Sequence, residues 1–499
     1  MSFQYPLRQS TLISSTPLFC VCSLSPLPLL ACAGGGGSSR TGVSNCIGLH
    51  TAEYARAGDE TEVHRLDTGE RICTSLAAAH LGGTTLLASC TGDVCTVHSV
   101  ACPTPSSAVV LELASFACSP DGAGVNCCAF LALPSSKAKP PRLLLAAGAE
   151  AGQLAVFELS QPIGGEPLTV AALPPLAGAH GGQPVCSLAW VPGGAPGGAP
   201  SLVSGGKDGC VRVHSLGVDS LGAASLAPLA CIPVAIPPPR AVPGARPENA
   251  RQKELNKQVM VRCVAVNPTT GYLYAVSSGR RGASYLHKFQ LPAAPLPAPP
   301  RPLSETVINP DYPSSSLCLL PSPPAPPGSP PHPPHTILCA AGVDGTVSSW
   351  IDLHSPAAPL AIFTGDPSSP SAGGGLLGPP PRAFAECHDL PVTAMCACPA
   401  GADVVSVSAD AKVVRVKVFG TSVAKPLLGG AACWLLMFLA LVGAMYAKVV
   451  SEAHCPHVPV SDVVGHGECL VEAMKAAVGG GAKGLLEPFE RLLGTTGSL

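Results

Sequence analysis

Short runs of alternating apolar and polar residues recur along most of this chain, each closed by a glycine or aspartate turn. The clearest unit is "PVCSLAWVPGGAPGGAPSLVSGGKDGCVRVHSL", Pro184 to Leu216. Here "VCSLAWV" alternates with the period of a half-buried strand, "SLVSGG" reads as a second strand, and "KDG" as a tight turn into "CVRVHSL". The second half of this unit returns as "TLLASCTGDVCTVHSV" (Thr85 to Val100) and "LLLAAGAEAGQLAVFEL" (Leu143 to Leu159). It returns again as "ILCAAGVDGTVSSWIDL" (Ile337 to Leu353) and "DVVSVSADAKVVRVKVF" (Asp403 to Phe419), with a looser copy from Leu273 to Phe289. Matching first strands precede several of them: "RICTSLAAA", "VNCCAFLAL", "VMVRCVAVNP" and "PVTAMCAC".

With "PLFCVC" and "LLACAGGGG" near the N-terminus there are about seven units, spaced by about 60 residues where propeller repeats usually take 40–45. Inserts such as "APLPAPPRPLSE" and "PSPPAPPGSPPHPPH" account for the excess, and their composition predicts solvated loops. One four-stranded blade reads in this way. The pattern therefore predicts an all-β fold, a seven-bladed WD-type β-propeller over residues 1–424. The copies are degenerate. No Trp-Asp dipeptide closes a strand and the Gly-His signature is absent, so the prediction rests on the shared position of the turns.

A different pattern follows. "PLLGGAACWLLMFLALVGAMYA", Pro426 to Ala447, carries no charge and is bounded by Lys425 and Lys448. About 20 apolar residues span a bilayer as a helix, so residues 426–447 are expected to form one C-terminal transmembrane helix, with a short tail over 448–499. Lys412, Arg415, Lys417 and Lys425 precede it, although Arg415 and Lys417 also suit a folded strand; one lysine, Glu452 and histidines follow. The positive-inside rule then places the propeller in the cytosol and the tail across the membrane. The N-terminal "PLFCVCSLSPLPLLACAGG" has the look of a signal-peptide core, with Ala31-Cys32-Ala33 as its cleavage site. Arg8 as the sole nearby positive charge, and Pro26 and Pro28 within the run, weigh against that reading.

Composition narrows the functional classes. Only 12% of the residues are charged and the net charge is −2, which offers no surface for nucleic acid. Aromatics make up 4%, so the core is expected to rest on Val, Leu, Ala and Cys. Most of the 23 cysteines sit in apolar runs such as "PLFCVC" and "VNCCAF", where cysteine serves as a small hydrophobe. None has zinc-site spacing, and reduced thiols are expected. In the tail, "HCPH" (His454 to His457) and His466 lack further ligands at metal-binding spacing, and Cys455 and Cys469 would face an oxidising lumen. No Ser/His/Asp set, paired carboxylate site or metal cluster emerges, so an enzyme with its own active site is not expected.

The remaining candidate is the stretch "AGGGGSSRTGVSN", Ala33 to Asn45. It nearly fits a P-loop counted from Gly34, but Ser39 and Arg40 stand where the second glycine and the lysine belong. It also leads into strand-like "NCIGLHTA", whereas a phosphate cradle leads into a helix. A connection this long is either functional or idle and exposed, and on the residues alone both readings stand.

The motif "AGGGG-x-x-[KR]-T-G-[IV]-x-N" in an opening blade resembles the endoplasmic-reticulum exchange factors that start COPII coat assembly, the family of prolactin regulatory element-binding protein. "RGASYLHKF" (Arg281 to Phe289) and "LPVTAMCACPAGADVVSVSADAKVVRV" (Leu390 to Val416) extend the likeness. The resemblance implies a membrane-anchored WD-repeat guanine-nucleotide exchange factor without covalent chemistry of its own. It implies that Gly34, Gly35, Gly36, Gly37, Arg40, Thr41, Gly42 and Asn45 form a loop ordered by a potassium ion. That loop would engage the small secretory GTPase and expel GDP. Asn45 is the residue most expected to matter, either as an ion ligand or as a contact to the GTPase. The alternative is a non-catalytic relative, a membrane propeller that helps cargo such as phosphate transporters leave the endoplasmic reticulum.

Overall fold

The alternating runs pair with their sequence neighbours into seven antiparallel four-stranded sheets. In this computed structural model the described residues are 9–38, 42–52, 61–104, 106–133, 142–160, 168–193, 199–218, 224–236, 258–280, 282–292, 299–321, 335–353, 382–384, 387–399 and 403–418. The first blade is β2 (Leu18–Ser23), β3 (Leu29–Gly34), β4 (Asn45–Thr51) and β5 (Glu62–Gly69); the second is β6 (Cys73–Leu81), β7 (Thr84–Thr91), β8 (Val94–Thr104) and β9 (Ser107–Ala117). The third holds β10 (Val125–Leu133), β11 (Arg142–Ala149), β12 (Leu154–Ser160) and β13 (Thr169–Ala172). In the fourth, β14 (Val185–Val191), β15 (Ser201–Gly206) and β16 (Cys210–Val218) follow the alternation read from Pro184 to Leu216, with β17 (Ala224–Pro233) outside them. The fifth is β18 (Met260–Val266), β19 (Tyr272–Ser278), β20 (Ser284–Gln290) and β21 (Ser304–Asn309); the sixth is β22 (Ser314–Pro321), β23 (His335–Gly342), β24 (Val347–Leu353) and β25 (Arg382–Phe384).

The seventh blade closes the circle. β26 (Val392–Ala397), β27 (Asp403–Ser408) and β28 (Lys412–Lys417) take their fourth strand from the other end of the chain, β1 (Gln9–Ile13), which pairs with β28 from Gln9 opposite Val416 to Ile13 opposite Lys412. The first strands of successive sheets pack side by side, and β26 returns to β2. The described residues form a seven-bladed β-propeller.

The core lies between the blades. Leu29, Ile47 and Leu49 of blade one pack with Leu76 and Leu87 of blade two, while Val203, Val211 and Val213 of blade four meet Val261, Val264 and Leu273 of blade five. Each such side chain contributes about 1.5–3 kcal/mol of burial. The run that has the look of a signal-peptide core supplies β2 and β3, with Leu29 and Leu30 fully buried. The described cysteines are free thiols, mostly buried. Burial pushes Cys263 and Cys318 up to about 12, which keeps these thiols protonated and packing as small apolar groups.

Three of the four basic residues counted ahead of the apolar segment, Lys412, Arg415 and Lys417, belong to β28. Lys412 pairs with Asp389 at 2.5 Å and Arg415 with Asp403 at 2.6 Å, so these two charges serve blade seven. The segment Pro426–Ala447 and the tail lie outside the described residues. Among the described residues no helix is long and apolar enough to cross a membrane.

Candidate functional site

Residues 35–44 connect β3 to β4. The connection leads from strand to strand, which excludes the helix N-terminus that a P-loop needs. Its entry is set by two close approaches. A Cβ on Gly34 would lie 1.7 Å from the Pro17 carbonyl oxygen, and one on Gly35 would lie 2.5 Å from the Asn45 Cα. Gly35 also has φ +145°, a region that side chains rarely adopt. Only glycine fits at either position.

Asn45 opens β4 and holds the loop shut. Its Oδ1 accepts the Gly37 N–H at 2.9 Å, and its Nδ2 donates to the carbonyl oxygens of Gly37 at 3.2 Å and Gly69 at 2.9 Å. A donor faces Oδ1 and two acceptors face Nδ2, so the partners fix the amide orientation. The side chain is 3% exposed. It acts as a clamp from β4 across to the end of β5 and back onto the glycines. One lone pair of Oδ1 remains beyond the Gly37 bond. Gly36 is half-buried and Gly42 exposed, Gly37 and Gly42 have positive φ, and Arg40 and Thr41 lie outside the described residues.

A second feature appears in every blade. At the start of each inner strand the register slips by one residue, between Leu18 and Cys20, Cys73 and Ser75, Val125 and Cys127, and Val185 and Ser187. The same slip falls between Val261 and Cys263, Ser314 and Ser316, and Val392 and Ala394. The bulged residues Phe19, Thr74, Asn126, Cys186, Arg262, Ser315 and Thr393 all line one central cavity of about 200 Å³. Bulges re-aim side chains, and here they aim seven of them at the axis.

Three members of this ring staple blade to blade. Thr74 donates to the Val125 carbonyl at 2.5 Å, Asn126 to the Val185 carbonyl at 3.2 Å, and Thr393 to the Leu18 carbonyl at 2.9 Å. The residues that follow the bulges join in: Ser75, Ser187 and Ser316 accept the N–H groups of Cys128, Val264 and Met395 from the next blade. This ring is hidden in the linear sequence. Its signal is visible only with the inner strands aligned, as a small residue (Cys, Ser or Ala) recurring one position after each bulge.

The fold also assembles two Ser/His/Asp sets that the sequence did not show. His180 Nδ1 lies 2.8 Å from Asp208 and Nε2 lies 2.9 Å from the Ser204 hydroxyl. His388 meets Asp410 at 3.2 Å and Ser406 at 2.9 Å in the same wiring. The connectivity is that of a nucleophile, base and orienting acid. However, His180, Ser204 and Ser406 are fully buried, so no substrate carbonyl can approach these hydroxyls. Burial alone would raise the Asp208 carboxyl; hydrogen bonds from His180 and Arg212 outweigh it and hold the group below the usual carboxylate range. These sets tie the turn before an inner strand to the turn of the same blade. Among the described residues no group of His, Cys, Asp and Glu is placed to hold a metal ion.

This geometry defines a seven-bladed β-propeller with one elongated, clamped turn in its first blade. A family model described as "WD domain, G-beta repeat" matches residues 174–215, the stretch that carries His180, Ser204 and Asp208. No curated protein matches the chain. Among solved structures, Sqt1 of Chaetomium thermophilum is 16% identical with a TM-score of 0.49, covering 82% of this chain and 98% of its own. The same protein bound to the N-terminus of ribosomal protein L10 is 17% identical, TM-score 0.47, over 81% and 97%. The Cps50 (Swd1) propeller domain of Myceliophteria thermophila is 13% identical, TM-score 0.47, over 83% and 100%.

Proposed function

We propose that this chain is a guanine-nucleotide exchange factor held in the endoplasmic reticulum membrane by residues 426–447, with its propeller cytosolic and its tail luminal. Its partner is the small secretory GTPase that starts COPII budding. The observation that carries the reading is the Asn45 clamp, which gives the "AGGGG…N" motif one defined shape at the end of β3. A turn that only joins two strands needs two to five residues; this one spends ten and uses a buried amide to shape them.

The family resemblance implies a potassium ion in this loop. The described loop residues from Gly34 to Asn45 offer neutral carbonyl, hydroxyl and amide oxygens without a carboxylate, a donor set that suits a hard monovalent cation. Backbone carbonyls of the glycines and the remaining lone pair of Asn45 would hold it. Such an ion would supply one positive charge that binds these carbonyls together. The chain's own part is mechanical. The clamped loop presents a rigid surface that fits the nucleotide-free GTPase better than the GDP-bound form, and linkage makes that preference a loss of GDP affinity.

The test is GDP release from this GTPase, driven by limiting full-length chain in detergent micelles, in potassium and then sodium buffer, beside an Asn45→Ala variant. Acceleration by the wild type, weaker in sodium and reduced in the variant, supports the proposal. No acceleration of a GTPase that still exchanges nucleotide on magnesium removal overturns it.

A further inference from the structure

The axial ring has one charged member, and among the described residues it hydrogen-bonds to no other blade. Arg262, the bulge of blade five, donates from Nε to the Ser278 hydroxyl at 3.3 Å within its own sheet, and its two terminal nitrogens have no partner among the described residues. The cavity lining contains no acidic side chain and no other charge: beside Arg262 it presents Asn126, serines, threonines, cysteines and the apolar Phe19, Val21, Leu76 and Leu317. A half-buried guanidinium without a counter-charge is costly and is normally paired. Here the fork is aimed into a cavity where an incoming group can complete it.

We infer that the channel mouth is an acceptor site for a carboxylate carried on the side chain of a protein partner, with Arg262 as its anchor. A guanidinium with Nε already engaged keeps four N–H donors on its terminal nitrogens, and a parallel pair of them matches the two oxygens of a carboxylate. One positive charge balances a monoanion, whereas a phosphate dianion would leave excess charge where no second cation lines the wall. The apolar lining suits the methylene stem that carries such a group. A protein source follows from where the cavity opens. Its lining residue Phe19 lies two positions after Pro17, whose carbonyl accepts the Gly35 N–H at 2.9 Å, so channel mouth and glycine loop share one rim. The protein source rests on the proposed reading of the glycine loop as a partner surface; the Arg262 acceptor itself does not.

The experiment is phenylglyoxal modification of arginines in the full-length chain in micelles, read at Arg262 by mass spectrometry, with exposed Arg71 as internal control. The probes are acetyl-Gly-Ser-Glu-Ser-Gly-amide, its glutamine counterpart, sodium acetate and inorganic phosphate. A dissociation constant near 1 mM gives roughly tenfold protection at about 10 mM glutamate peptide. The expected result is that protection at Arg262 alone, with little from the glutamine peptide or from acetate. Equal protection by acetate overturns the partner-borne source, and protection by phosphate alone overturns the carboxylate class. Equal protection by the glutamine peptide, no protection by any probe, or an Arg262 that resists the reagent in the free chain overturns the site.

Discussion

Replacing Asn45 with aspartate separates a clamp from an ion ligand. In Asn45→Asp one oxygen still accepts the Gly37 N–H, but the other takes the place of Nδ2, which lies 3.2 Å from the Gly37 carbonyl and 2.9 Å from that of Gly69. Two hydrogen bonds, each worth about 0.5–1.5 kcal/mol, are lost and become repulsive contacts at a site shielded from water. A total cost of about 3 kcal/mol follows. In Asn45→Ala no repulsion arises, and water can reach half-exposed Gly37 and exposed Gly69, so the cost is about 1–2 kcal/mol. Hydrogen exchange of the amides between Gly35 and Ser44 reads this local opening. At 1.4 kcal/mol per tenfold, the aspartate variant exchanges about 100-fold faster than wild type and the alanine variant about 5- to 30-fold faster. A cation held directly by residue 45 reverses the order, because a carboxylate binds it more strongly than an amide. Wild-type protection in Asn45→Asp in potassium buffer would therefore refute the clamp.

Three further outcomes follow from the fold. Deleting residues 1–13 removes β1 and turns β28 into an open edge; the loss of its ladder, at about 1 kcal/mol per bond, costs about 3–5 kcal/mol, and an unchanged urea midpoint would show that blade seven closes some other way. Lys288→Met leaves Asp352, 1% exposed, without the ammonium 2.9 Å away while Tyr274 still donates to it, which costs about 3–5 kcal/mol; adding Asp352→Asn restores part of the midpoint, and a single variant as stable as wild type contradicts the pairing. Burial lowers His214 and His287 to about 4, below the ordinary 6.5 of an unfolded chain. The unfolded state therefore takes up protons first. Stability is complete above about pH 6.5 and falls toward pH 4 by roughly 1.4 kcal/mol per unit for each histidine; equal urea midpoints at pH 7.5 and pH 5 would contradict this.

Legibility in the sequence followed locality. β14, β15 and β16 were readable because their partners are adjacent and their alternation is uninterrupted. β1 was not, because "QSTLI" carries little pattern of its own and its partner β28 lies at the far end of the domain. Outer strands were also hidden: β5 alternates half-buried with exposed residues, and β13 has four residues with none buried, so neither leaves a hydrophobic signature. Ala179 before His180 conceals the Gly-His dipeptide, yet histidine followed by Ser-x-x-x-Asp marks both buried networks, through Ser204 and Asp208 and through Ser406 and Asp410. The motif singled out Asn45, but its clamp reaches Gly69 at the end of β5, a pairing that only the sheet reveals.

The clamp also dictates which part of an exchange reaction a mutation can change. A loop that is open part of the time binds its partner with an apparent affinity reduced by the closed fraction. That reduction applies alike to the GDP-bound and nucleotide-free GTPase, since both meet the same loop. Their ratio, which determines how far the propeller weakens GDP, is untouched. For Asn45→Ala the half-saturating propeller concentration therefore rises by up to the 5- to 30-fold opening factor, while the GDP release rate at saturation stays at the wild-type value. A side chain that touches the GTPase only in its nucleotide-free form behaves in the opposite way and lowers the saturating rate. Titrating the full-length chain against a fixed amount of GDP-loaded GTPase separates the two. A shifted midpoint with an unchanged plateau assigns Asn45 to shaping the loop, and a fallen plateau assigns it to the contact itself.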